Sequence, residues 1–144
     1  MKHSHVSTEI LLTKAGSKKT SSRHEVLEIL FHATKPLSIK EIFSKIQDKK
    51  TDQVTVYRIV KSFTEKDVLR QIDLGHDQAY FEIADDENDH HHIICMRCHT
   101  IADFTGCDAN ILIAKALKQV KTFTKVTRHS FELFGLCTKC SKKA

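Results

Sequence analysis

No apolar run in this 144-residue chain approaches the length of a membrane span, and its first residues, MKHSHVSTEI, lack the apolar stretch of a signal peptide. Both absences point away from membrane insertion and secretion, and cytoplasmic residence is the expectation that follows. One proline, four glycines and no tryptophan are present, and no repeat or low-complexity tract occurs apart from a short Lys-rich tail. Also missing are His-Glu-x-x-His and His-x-Glu, the motifs that set a glutamate base beside a hydrolytic metal. A metal-dependent hydrolase is therefore a distant alternative, and it leaves the N-terminal helices described below without a purpose.

What the chain does have is cysteine in two matched pairs. Cys95-x-x-Cys98 and Cys137-x-x-Cys140 each bring two thiols onto one side of a tight turn, and two such turns complete a tetrahedral four-sulfur zinc site. In a reducing compartment paired cysteines read as metal ligands rather than disulfides. The fifth, Cys107, has no partner at ligand spacing and reads as a small buried or half-buried residue. Directly before the first pair runs Asp89-His90-His91-His92. A closed four-sulfur site has no room for these imidazoles, which leaves them to hold a second, more exchangeable metal. A permanent ion beside a replaceable one suggests a protein whose shape reports metal supply.

At 40% hydrophobic and 28% charged residues, the chain has enough apolar material for one mid-sized domain or two small ones. The net charge is +5 and unevenly spread. Residues 1–72 hold 14 Lys and Arg against 8 Asp and Glu, residues 73–144 hold 9 against 10, and residues 73–89 hold seven acidic residues and no basic one. The surplus lies where it could neutralise phosphates, although a solvated surface gives the same count.

The N-terminal half reads as helices followed by a hairpin. Ser22-x-x-Glu25 and Ser38-x-x-Glu41 are two capping boxes, each before an apolar run at helical spacing, and Pro36 separates them. A third helix is expected from Thr51-Asp52 to about Lys66. Strand-like runs over 69–74 and 78–83 flank Gly75-His76-Asp77, and a leading helix over 8–15 ends at Gly16. Three helices and a hairpin make a winged helix-turn-helix. Beyond Asn88, strands are expected at 91–95, 100–104 and 124–136, with a helix of about 13 residues capped by Asp108. The expectation is thus an α+β protein: a winged-helix DNA-binding domain over 1–86, and a small α/β dimerisation and metal-binding domain over 87–144. So small an α/β unit would be marginal alone, so zinc and a subunit partner should help hold it together.

Thr55-Val56-Tyr57-Arg58, His90-His91-His92-Ile93-Ile94-Cys95-x-x-Cys98, His129-Ser130 and Phe134-Gly135-x-Cys137-x-x-Cys140 together resemble the ferric uptake regulator family. Lys14-Ala15-Gly16 with Thr20-x-x-Arg23 is similar as well, so the likeness spans about residues 8–140. It implies a homodimeric, metal-responsive transcriptional repressor that binds palindromic operator DNA. Thr55, Tyr57 and Arg58 then match the recognition helix, and Lys18 and Arg23 its basic leader. Arg can bind guanine or phosphate bidentately and Tyr can pack on a thymine methyl, although Tyr57 packed within its own domain is the bland alternative. Cys95, Cys98, Cys137 and Cys140 match the structural zinc set.

The same resemblance makes Glu82, His90, His92 and Asp103 the sensing ligands. Strand alternation puts His90 and His92 on one face and His91 on the other, and two imidazoles with two carboxylates suit Fe2+, Mn2+ or Zn2+. Many family members add a loop histidine where this chain has Pro36, with His32 four residues upstream. A second family site would use Asp89, His91 and His129, but its helix carboxylate position holds Asn110, with Asp108 nearby. Iron is the favoured sensed metal. Peroxide sensing through iron comes next, since Asp103 resembles that branch, and zinc uptake control is third. His3, His5, His24, His76 and His99 have no such context and take no role.

Overall fold

The computed structural model describes residues 7–75, 77–85 and 90–143 and divides into two compact units, Met1–Glu87 and Asn88–Ala144. In the first, polar caps set each helix start. Ser7 caps α1 (Thr8–Lys14), which stops where Gly16 adopts φ +54° and Ser17 N–H returns to the Leu12 carbonyl. Next come α2 (Ser21–Phe31), β1 (Leu37–Ser38) and α3 (Ile39–Lys45). The Ser38–Glu41 capping box forms as expected: Glu41 N–H donates to Ser38 Oγ at 3.3 Å, and Ser38 N–H to the Glu41 carboxylate at 2.8 Å.

The other box does not form. Thr20 caps α2, accepting from Arg23 N–H at 3.4 Å, so Ser22 already lies inside the helix. Ser22 and Glu25 are thereby released for longer contacts. Ser22 Oγ lies 2.7 Å from Thr51 Oγ1, and the Glu25 carboxylate accepts from Gln47 N–H at 2.5 Å. Both staple α2 to the turn between the two helices of the helix-turn-helix.

Asp52 caps the second of those helices, α4 (Gln53–Glu65), accepting from Thr55 N–H at 2.7 Å. Val56, Ile59, Val60 and Phe63 repeat at helical spacing and are buried, while Val54, Tyr57, Arg58 and Lys61 on the other side are exposed. The wing is β2 (Leu69–Ile72) and β3 (Tyr80–Ile83), antiparallel, with β1 added on the far side of β3. Its strands are shorter than the runs expected at 69–74 and 78–83, because the turn takes up residues on either side of Gly75 (φ +71°). His76, in the expected turn, lies outside the described residues. Leu12, Val26, Leu27, Ile42, Val56, Phe63, Val68 and Leu69 meet in one core beneath the helices and sheet. Each fully buried side chain of this kind is worth about 1.5–3 kcal/mol.

In the second unit β4 (His91–Cys95) is the centre of a three-stranded sheet. β5 (Ile101–Phe104) pairs with it antiparallel, and β6 (Glu132–Gly135) pairs with it in parallel. The long strand expected over 124–136 shrinks to those four residues, since the five-residue β4 offers a partner over no greater length. Between β5 and β6 lies α5 (Ala109–Gln119), capped by Asp108, and a short α6 (Thr138–Ser141), not anticipated, carries Cys140. No residue of α5 is buried, and Ile111 and Leu112 are 67% and 59% exposed. Among the described residues, the buried apolar side chains of this unit are Ile94, Cys95 and Cys140, so two of its three core residues are thiols. No helix among the described residues is long and apolar enough to cross a membrane.

Candidate metal centre

The last residue of β4 is Cys95, and a tight turn follows in which His99 takes φ +60° and its N–H donates to the Cys95 carbonyl at 2.9 Å. This knuckle faces a second one, where Cys137 stands at the start of α6 and Cys140 N–H donates to the Cys137 carbonyl at 3.0 Å. Met96 N–H to the Gly135 carbonyl at 2.8 Å and Arg97 Nη1 to the Cys140 carbonyl at 2.8 Å clamp the two together. The sulfurs of Cys95, Cys98, Cys137 and Cys140 consequently lie within 4.8 Å of one another, and Cys98 Sγ is 3.6 Å from Cys137 Sγ. A zinc–sulfur bond of about 2.3 Å in a tetrahedron requires sulfurs about 3.8 Å apart. The four thiols are therefore close enough together to take up that tetrahedron around one ion, and none is in a disulfide.

The electrostatics fit a cation as well. The backbone N–H groups of Cys137, Cys98 and Arg97 aimed at Cys95 hold its thiol down at about 5. The Thr100 hydroxyl, 3.2 Å from Cys98 Sγ, lowers that thiol too. Burial, then the crowding of neighbouring sulfurs, pushes Cys140 up to about 12. Sulfurs packed this closely cannot all be thiolates without an ion among them, and N–H···S bonds are the outer support that zinc thiolates use.

His91 and His92 open the same strand, and His90 directly precedes it. His90 and His92 have ring centroids 5.1 Å apart, and His92 Nε2 lies 3.6 Å from Asp103 Oδ1 across the β4–β5 pair. His92 is 1% exposed and His90 8%. His91 turns to the other side, where its ring meets Phe104 at 5.6 Å, Phe131 at 5.5 Å and His129 at 5.7 Å. So His90, His92 and Asp103 come together, and His91 comes to His129 inside an aromatic cluster. Asp108 caps α5, its Oδ1 accepting from Ile111 N–H at 3.2 Å. Asp89 lies outside the described residues. Glu82 is on β3, where its carboxylate pairs with Arg70. His32 pairs with Glu28 on α2 at 3.3 Å.

Of the basic residues, Lys18 and Arg58 are exposed, and Arg23 donates from Nη1 to the Lys18 carbonyl at 3.0 Å. Thr55 is half-buried in the first turn of α4. Tyr57 is 53% exposed, and its ring also lines an open cleft of about 560 Å³ with Ile39, Ala79 and Phe81. Arg70, Arg97 and Thr100 did not stand out in the sequence. Arg70 was accessible through the hairpin register, which sets it opposite Glu82, and Thr100 through its place two residues after Cys98 in the same knuckle, whereas Arg97 depends on how the knuckles meet.

Comparison with known proteins agrees with this geometry. A model described as the ferric uptake regulator family matches residues 14–134. The chain belongs to the ferric uptake regulator family. The peroxide operon regulator of Bacillus subtilis is 29% identical over 136 residues, covering 92% of this chain and 90% of its own. The solved structure of the Helicobacter pylori ferric uptake regulator, described as revealing three functional metal binding sites, gives a TM-score of 0.74 at 27% identity, over 94% of this chain and 95% of that one. That of the Francisella tularensis ferric uptake regulator with iron gives 0.70 at 26%, over 88% and 96%. The α+β class with a winged helix is thus the family's fold, and this chain carries in it a four-cysteine cluster that could hold zinc.

Proposed function

We propose that this family member is a metal-dependent transcriptional repressor that binds palindromic operator DNA as a homodimer when its sensing site holds metal, with iron the favoured ion. The observation that carries the reading is β4 itself. One five-residue strand ends in a thiol of the four-sulfur cluster and carries His92 beside Asp103 and His90. Cys95, Cys98, Cys137 and Cys140 would hold a structural zinc. Glu82, His90, His92 and Asp103, the first on the family's pattern, would hold the sensed Fe2+, Mn2+ or Zn2+. Such ions supply charge and a preferred geometry, and the residues choose among them by donor type.

Residues 1–86 act as the DNA-binding domain in this reading, with Thr55, Tyr57 and Arg58 on the recognition helix and Lys18 and Arg23 on the backbone of the duplex. Residues 87–144 dimerise through apolar side chains that no other part of the unit covers, among them Ile111, Leu112 and Phe134. Two copies would place two recognition helices on successive major-groove faces. Metal response is then a population shift, limited by the ion's differential affinity for DNA-competent and incompetent dimers. Such a repressor works in the cytoplasm.

The test is anisotropy of operator DNA selected from genomic fragments on iron-loaded protein. Parent protein should bind with metal and lose binding on chelation, and Arg58→Ala should cost about 1–3 kcal/mol. Equal affinity with and without metal would contradict the reading. A second reading, peroxide sensing through iron, is favoured by Asp103 beside His92 and by the Bacillus subtilis relative. It predicts that hydrogen peroxide added to iron-loaded protein releases DNA.

A further inference from the structure

On the wing, Arg70 of β2 stands directly opposite Glu82 of β3 in the antiparallel register. Its Nε donates to Glu82 Oε1 at 2.5 Å, and the two side chains are only 24% and 13% exposed. Among the described residues, this pair is more enclosed than the Lys19–Glu9 and Lys35–Glu41 pairs, whose partners are 37–65% exposed. A charge-assisted bond of this length holds a carboxylate in one orientation and neutralises it. Partial burial weakens solvent screening of both effects.

We propose that Arg70 is a positioning residue that sets the metal threshold of this regulator by acting as the resident counter-cation of Glu82. The proposal rests on the reading of Glu82 as a ligand of the sensed ion. A divalent ion reaching Glu82 meets a carboxylate already matched in charge. It must share that carboxylate with a guanidinium, and it is repelled by a fixed positive charge one side chain away. The bond also pre-orients Glu82, which favours binding. Glu82 is half-buried on a strand and has little rotamer freedom left to lose, so the charge effect is the larger of the two. Arg70 therefore weakens binding of every divalent ion, and the site fills only when metal is plentiful.

The experiment titrates Co2+ into purified full-length protein that carries zinc at its cysteines, following visible cobalt absorption, for the parent, Arg70→Gln, Arg70→Met, Arg70→Lys and Glu82→Gln. Zinc content and circular dichroism confirm the fold of each. Arg70→Gln and Arg70→Met should bind Co2+ about tenfold more tightly, equivalent to about 1.4 kcal/mol. Arg70→Lys, which keeps the charge, should stay within about threefold of the parent. Glu82→Gln should bind more weakly. If Glu82→Gln weakens binding but neither neutral Arg70 variant tightens it by threefold, the role of Arg70 is refuted and Glu82 remains a ligand. If Glu82→Gln leaves cobalt binding unchanged, Glu82 is no ligand and the proposal falls with that reading.

Discussion

Removing one thiolate from the four-sulfur cluster should unfold the second unit while leaving the first intact. The structure sets the scale. Among the described residues, eighteen buried apolar residues lie in the first unit and three in the second, and of those three Cys95 and Cys140 belong to the cluster itself. That leaves Ile94, worth about 1.5–3 kcal/mol when fully buried, against about 1–2 kcal/mol of backbone entropy for each residue ordered. A structural zinc contributes about 10–16 kcal/mol, as much as the net stability of a typical domain. Cys98→Ser is the informative variant. Its sulfur is exposed, so little packing is lost, yet it lies 3.6 Å from that of Cys137. Hydrogen exchange read by mass spectrometry should show protection lost over 91–95 and 132–135 and retained in α2 and α4. Cys107→Ser, outside the cluster, should behave as the parent. Full protection of β4 and β6 in a zinc-free Cys98→Ser protein would refute the reasoning.

Other consequences are simpler to measure. Leu112→Glu, on the uncovered face of α5, should shift the protein from dimer to monomer in sedimentation while leaving zinc content unchanged. Ser38→Ala removes a capping box and should lower stability by about 1 kcal/mol in thermal unfolding, with Ser22→Ala acting through its bond to Thr51 rather than through a cap. Operator affinity should fall steeply as salt rises, as phosphate neutralisation requires, and a flat salt profile would remove the electrostatic argument for Lys18, Arg23 and Arg58.

Much of the fold could be read from short-range chemistry. Asp52 and Asp108 cap where their spacing says, and the helix over α4 follows its apolar period. The four-sulfur cluster follows from two Cys-x-x-Cys turns, and the separation of His92 from His91 follows from strand alternation. What sequence missed depended on partners far along the chain. Ser22 and Thr20 both qualify as caps, and Glu25 decided between them by bonding to Gln47 and Asp48. The β pattern over 124–136 is real, but strand length is set by the neighbour, and β4 is short. Arg70 carries no local signal in the sequence, and only the hairpin register sets it opposite Glu82. Asp108, read as a stand-in ligand, also gives one carboxylate oxygen to the helix it caps.

The central claim is a division of labour: sulfur holds a permanent ion, and imidazoles with carboxylates hold an exchangeable one. Elemental analysis of protein purified without chelators tests it most directly, in the parent and in the His90→Ala/His92→Ala double variant. The account predicts one zinc per chain in both proteins and a second metal in the parent alone. Equal metal content in the two, or a double variant stripped of its zinc, would contradict it.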